Sequence, residues 1–112
     1  MMSELDDVFD QLRTADVVAF GGVGFANELL PVTEAYRRAR AAGDAARDRA
    51  EQLLTDGSPA GRVYAATLLG ELDPAAGEQA WHRLSTDESQ VTVFDGCLQA
   101  ERSVRTYATT SP

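Results

Sequence analysis

Ser58-Pro59-Ala60-Gly61-Arg62-Val63-Tyr64-Ala65-Ala66-Thr67-Leu68-Leu69-Gly70-Glu71-Leu72-Asp73-Pro74 carries the clearest local grammar of the chain. A serine whose hydroxyl can accept from the first free N–H groups, followed by a proline that lacks the N–H such a position cannot use, is a helix start. Ala65, Leu68, Leu69 and Leu72 then recur at helical spacing as a buried stripe. Asp73-Pro74 repeats the start signal at once, so a second helix follows with Gly77, Ala80, Trp81 and Leu84 on one face.

The same reasoning runs outward in both directions. From Ser3 to Thr14, Leu5, Val8, Phe9 and Leu12 lie at i, i+3, i+4 and i+7, with Ser3 as cap and acids near the positive end of the helix dipole. Glu28 to Ala42 reads as a helix in which Pro31 falls in the first turn, and Gly43 stops it. Asp44 is the expected cap of a third helix with Ala46, Ala50, Leu53 and Leu54 on one face and an Arg47–Glu51 pair on the other, ending at Gly57. Downstream, Ser89 is the expected cap of a sixth helix whose core face carries Phe94, Cys97, Leu98, Val104 and Ala108. Between the first two helices, Val17 to Phe25 is apolar but broken by three glycines, and reads as a buried loop or short extended piece. The expectation is an all-α fold, a compact helical bundle without a sheet of three or more strands. Residues 1–112 form one domain in this reading, with a non-repeating part over 1–43 and a helical part over 44–108.

Within that second part Leu53 and Leu84, Thr55 and Thr86, Asp56 and Asp87, and Ser58 and Ser89 each stand 31 residues apart. A constant offset marks an internal repeat of one helical hairpin, which must stack on a neighbour to cover its apolar face. The stretch Arg62 to Ala76, with its Ala65-Ala66 pair, Leu69-Gly70, Leu72 and Asp73-Pro74, followed by Leu84 and Asp87, resembles the short HEAT-like repeats of the phycobilisome-lyase type. The resemblance spans roughly 44–100 and consists of packing and capping positions. It implies HEAT-like hairpins in the C-terminal half and a protein-interaction scaffold without catalytic residues.

Composition narrows the function. The chain of 112 residues carries 18 acidic and 10 basic side chains, a net charge of -8. Such a field repels phosphate backbones and anionic headgroups and attracts a basic protein, so neither nucleic acid nor membrane is the expected partner. The first residues are acidic and lack the apolar run of a secretory signal, and no stretch reaches the ~18 apolar residues of a membrane helix. The cytoplasm is therefore the expected compartment. Cys97 is the single cysteine, so an intrachain disulfide is impossible.

Each residue able to carry chemistry has a plainer structural use. Gly22-Val23-Gly24-Phe25 after Val17-Val18-Ala19-Phe20 is reminiscent of a glycine turn that cradles phosphate, but such a site needs a parallel sheet, which the downstream sequence does not supply. His82 is the single histidine; with Glu78 at i, i+4 it offers two metal ligands, too few for a centre. Cys97 reads as a small buried hydrophobe. Tyr36-Arg37-Arg38-Ala39-Arg40 reads as a solvated face near a helix C-terminus. No cofactor or metal is expected. Tyr64, Glu78, His82 and Arg83 fall nearer the faces that a stacked helical repeat leaves open, and are the expected partner-binding residues. The function expected is a protein-binding adaptor or inhibitor, one form being the neutralisation of a basic partner. The alternatives are a small enzyme or ligand-binding bundle using the loop 17–27 and Cys97, and a homo-oligomer stacked through its exposed repeat end.

Overall fold

A computed structural model describes residues 4–20, 30–95 and 98–110. In chain order the elements are α1 (Glu4–Arg13), β1 (Val17–Val18), α2 (Pro31–Ala42), a 3-10 turn (Gly43–Ala46), α3 (Arg47–Asp56), α4 (Pro59–Leu72), α5 (Pro74–Leu84), β2 (Gln90–Asp95), β3 (Leu98–Ser103) and α6 (Val104–Thr110). Five helices, α1 to α5, occupy the five segments whose spacing predicts them, although α2 begins at Pro31 and not near Glu28, and Ser3, the expected cap of α1, lies outside the described residues.

The stretch quoted first becomes the centre of the molecule. Ser58 accepts from the Gly61 N–H and caps α4, and Asp73 accepts from the Ala75 N–H and caps α5. α4 is more than an amphipathic stripe: Ala60, Gly61, Val63, Tyr64, Ala65, Ala66, Leu68 and Leu69 are all buried, on every side of the helix. A helix apolar all round belongs inside, and α4 packs against α1, α2, α3, α5, α6 and two strands. The closest approach is to α5, where a Cβ added to Gly77 would stand 2.2 Å from the Gly70 Cα. At the other end Gly61 lies against the Leu12 carbonyl of α1, 2.5 Å from where its Cβ would be. One cluster of buried side chains runs from Val8 and Leu12 through Tyr36, Leu53, Leu54 and Leu68 to Leu84, Val91 and Val104, with Trp81 packed against its margin.

Two details of capping differ from expectation. Gly43 ends α2 in the left-handed region at φ 62, as glycine allows, but Asp44 makes no side-chain cap; it sits in the 3-10 turn, and α3 begins at Arg47. The Arg47–Glu51 pair forms at 4.0 Å.

The all-α expectation is corrected downstream of Ser89. Residues expected to continue as one helix form the β2–β3 hairpin and only then the short α6. β2 pairs antiparallel with β3 from Gln90↔Ser103 to Asp95↔Leu98, and β1 pairs parallel with β2 through Val17↔Thr92 and Val18↔Val93, giving a three-stranded sheet in the order β1-β2-β3. The physical reason lies in Val91-Thr92-Val93-Phe94: three successive β-branched residues lose side-chain freedom in a helix and pack well on a pleated surface. The apolar spacing of Phe94, Cys97 and Leu98 also lapses one turn on, at Glu101 and Arg102. In the sequence Asp95-Gly96 is a hairpin signal; Gly96 and Cys97, the latter expected on the core face of a helix, lie outside the described residues. The 31-residue offset thus repeats a helix end, Leu53 and Leu84 being both buried, but Ser58 opens a helix and Ser89 precedes a strand.

Candidate functional site

Among the expected binding residues, α5 positions three together. Its inner face, Gly77, Ala80 and Leu84, is buried against the core. At helical spacing this turns Glu78, His82 and Arg83 outward, where all three are exposed. With Ala75 and Gln79 they line one open cleft on the outer surface of α5. The Arg83 guanidinium reaches across to α3, donating from Nη2 to Thr55 Oγ1 at 3.2 Å, and so borders a second groove. That groove lies between α3 and α5, floored by Leu54, Leu69 and Ala80 and rimmed by Arg47, Asp73 and Arg83. Arg47 bridges it to the cap of α5, donating to Asp73 Oδ2 at 3.2 Å.

Tyr64 is not part of this surface. It is fully buried, and its hydroxyl both accepts from the Ala19 N–H at 2.7 Å and donates to the Ala19 carbonyl at 2.9 Å. The sequence-based expectation of an open-face tyrosine is corrected here: the side chain crosses the core from α4 because its polar tip finds a backbone partner there. Thr33 Oγ1 donates to the same carbonyl at 2.7 Å, so the residue after β1 is held on both its backbone groups. Phe20 packs edge-on against Tyr36 and Tyr64, with ring centroids 5.0 and 5.1 Å away. The Tyr36 hydroxyl is buried and makes no hydrogen bond among the described residues; burial first, and the Glu71 carboxylate second, push its pKa up. The glycines that follow Phe20, and hence most of the loop 17–27, lie outside the described residues, as does Cys97.

A further groove runs between α1 and α3. Its volume, about 530 Å³, is that of a small-molecule site, but beside Phe9, Gln52 and Leu53 its lining is Asp6, Asp10, Asp48 and Asp56 with Arg13 and Arg49, mainly charged where such sites are chiefly apolar. Arg13 pairs with Asp10 and Arg49 with Asp6, so half of these carboxylates are neutralised within the groove. Among the described residues no three His, Cys, Asp or Glu side chains converge as a metal site, and no helix is long and apolar enough to cross a membrane.

The most buried ion pair among the described residues is structural. Arg62 Nη1 donates to Asp87 Oδ2 at 2.7 Å, and its Nε donates to the Gly57 carbonyl at 3.0 Å. Asp87 also accepts from the Ser89 N–H at 2.9 Å. Burial alone would raise the Asp87 pKa; the bonds from Ser89 and Arg62 outweigh it and hold the carboxyl below its ordinary value. Sequence reasoning missed this lock because its members lie 25 residues apart, one on α4 and the other in the connection between α5 and β2.

Compared with protein-family models, curated proteins and solved structures, the chain shows no significant match.

Proposed function

We propose that this protein is a protein-interaction scaffold, an adaptor or inhibitor that works by occupying a partner's surface. The observation that carries the reading is the outer side of α5: Glu78, Gln79, His82 and Arg83 border one open cleft, on a helix whose opposite face is anchored in the core. A rigid helix presenting an arginine and an imidazole beside apolar stem surface is the kind of platform that interface anchors use. The net charge of -8 favours a basic partner through faster encounter. The HEAT-like resemblance belongs to this proposal; the close Gly70–Gly77 packing of α4 on α5 and the Asp73 cap between them support it.

A photo-crosslinking residue at Gln79, introduced in the native cell, tests the reading. A discrete adduct is expected from position 79, absent from a control at Arg37 on α2 and lost when His82→Ala and Arg83→Ala are added. Equal labelling at both positions, or none at 79, would refute it.

One observation favours the second reading, ligand binding by the loop 17–27. The buried Tyr36 hydroxyl lacks a hydrogen bond among the described residues and sits beside Phe20, where that loop begins its glycines. A small molecule retained by the native protein and lost in Tyr36→Phe would favour it over the scaffold.

A further inference from the structure

β1 contributes only Val17 and Val18 to one side of β2, and it packs against α2 and α4, so that margin of the sheet is closed. β3 forms the other margin. Its six residues pair with β2 without interruption from Leu98 to Ser103, which leaves it free of a bulge, and it contains no proline. Gln99, Ala100, Glu101 and Arg102 are all exposed, so among the described residues nothing covers either face of the strand over these positions. An uncovered edge presents backbone N–H and C=O groups that can pair with another strand, and proteins usually blunt such an edge with charged side chains, bulges or proline. Here the strand has one acid beside one base and is neutral, in a chain of net charge -8.

We propose that β3 is the docking edge for a second copy of this chain, the two β3 strands pairing antiparallel about Ala100. Directly opposed residues of an antiparallel pair lie on the same face of the sheet. A two-fold axis perpendicular to the sheet must therefore pass through a residue facing its own copy. Centring on Glu101 sets two carboxylates against each other, and centring on Arg102 sets two guanidiniums together; both are unfavourable as directly opposed pairs. Centring on Gln99 or Ser103 shortens the pairing, because β3 begins at Leu98 and gives way to α6 at Val104. Centring on Ala100 places a methyl group at the axis and sets the Gln99 amide opposite the Glu101 carboxylate of the other copy, twice by symmetry, donor against acceptor. The same strand supplies both halves of the complementarity, which selects a second copy over an arbitrary peptide. One strand pair covers less than the ~1,000 Å² of a stable interface, so the dimer is a concentration-dependent one. This inference is independent of the α5 surface.

Sedimentation velocity over a concentration series up to roughly 1 mM tests it. The wild-type chain should shift from monomer towards dimer. Gln99→Lys sets an ammonium opposite Glu101 at both symmetry-related positions and should tighten the dimer by roughly 2- to 30-fold, whereas Gln99→Glu should weaken it by a similar factor. Far-UV circular dichroism checks that these exposed substitutions leave the fold intact. A monomer at every concentration overturns the proposal, even if a strand from another protein is found on the edge. So does a dimer whose affinity ignores both substitutions, because it then forms through another surface.

Discussion

Gly70 and Gly77 touch each other across the α4–α5 contact, yet alanine at the two positions should act in opposite directions. At Gly77 the new Cβ would lie 2.2 Å from the Gly70 Cα and 2.7 Å from its N, both backbone atoms that no rotamer change can move aside. Carbon atoms rest about 3.5 to 4.0 Å apart, so the helices would have to separate by about 1.5 Å. Because α4 also packs on α1, α2 and α3, that displacement loosens the central core and is not absorbed at the surface. Overpacking of this kind costs about 1 to 3 kcal/mol or more, against which alanine returns up to about 1 kcal/mol of helix propensity. At Gly70 the added Cβ meets only the Gly77 Cα, at an ordinary 3.7 Å. Gly70→Ala should therefore be neutral or stabilising by up to about 1 kcal/mol. Urea unfolding followed by far-UV circular dichroism gives both values. If Gly77→Ala proves as stable as Gly70→Ala, α4 and α5 do not meet backbone to backbone at this point and the hairpin packing described above is wrong.

Tyr64→Phe removes both hydrogen bonds to Ala19, and since Thr33 still serves the carbonyl, the buried Ala19 N–H is the group left unpaired; a loss of about 1 to 3 kcal/mol is expected in chemical denaturation, and a neutral result would refute the clamp. The Asp87 carboxyl, held below its ordinary 3.8, contributes stability that is present above that value and is lost as the pH falls through its lower folded value. Urea midpoints measured from neutral pH downward should therefore show a shallower acid limb in Asp87→Asn than in the wild type, and parallel curves would contradict the Arg62–Asp87 lock. Glu78→Ala and His82→Ala, on the exposed side of α5, should change stability by no more than about 0.5 kcal/mol; a larger loss in thermal unfolding would mean that these residues hold the fold and are not free for a partner.

Much of the helical part was legible because its signals are local. Ser58-Pro59 and Asp73-Pro74 set helix starts through bonds that span two or three residues, and Gly43 and Gly57 set ends, so neighbouring sequence suffices to place them. The outward position of Glu78, His82 and Arg83 followed from the same helical period once Gly77, Ala80 and Leu84 were assigned inward. The hairpin at 90–103 was legible only in part. Its β-branched run and Asp95-Gly96 dipeptide are local signals, but they competed with a helical apolar spacing and with an offset that made Ser89 look like Ser58. What decided between them was the strand Val17–Val18, more than seventy residues earlier, which gives β2 a parallel partner on the core side.

By itself, then, the sequence determined that five helices form and in which segments, where α4 and α5 begin, which faces of α1, α3 and α5 are apolar, and the acidic charge that any partner must meet. Tertiary structure decided which of the buried candidates became the centre. Tyr64 could have faced either way on a helix apolar all round; it turns inward because Ala19, 45 residues distant, offers its hydroxyl both a donor and an acceptor. It also decided that Gly70 and Gly77 are a matched pair, and that Arg62 closes on Asp87. The physical reason is the same in each case. Caps and periods are satisfied by bonds within a few residues, whereas a buried polar group or a close backbone approach is satisfied by whichever distant segment packing brings within about 3 Å.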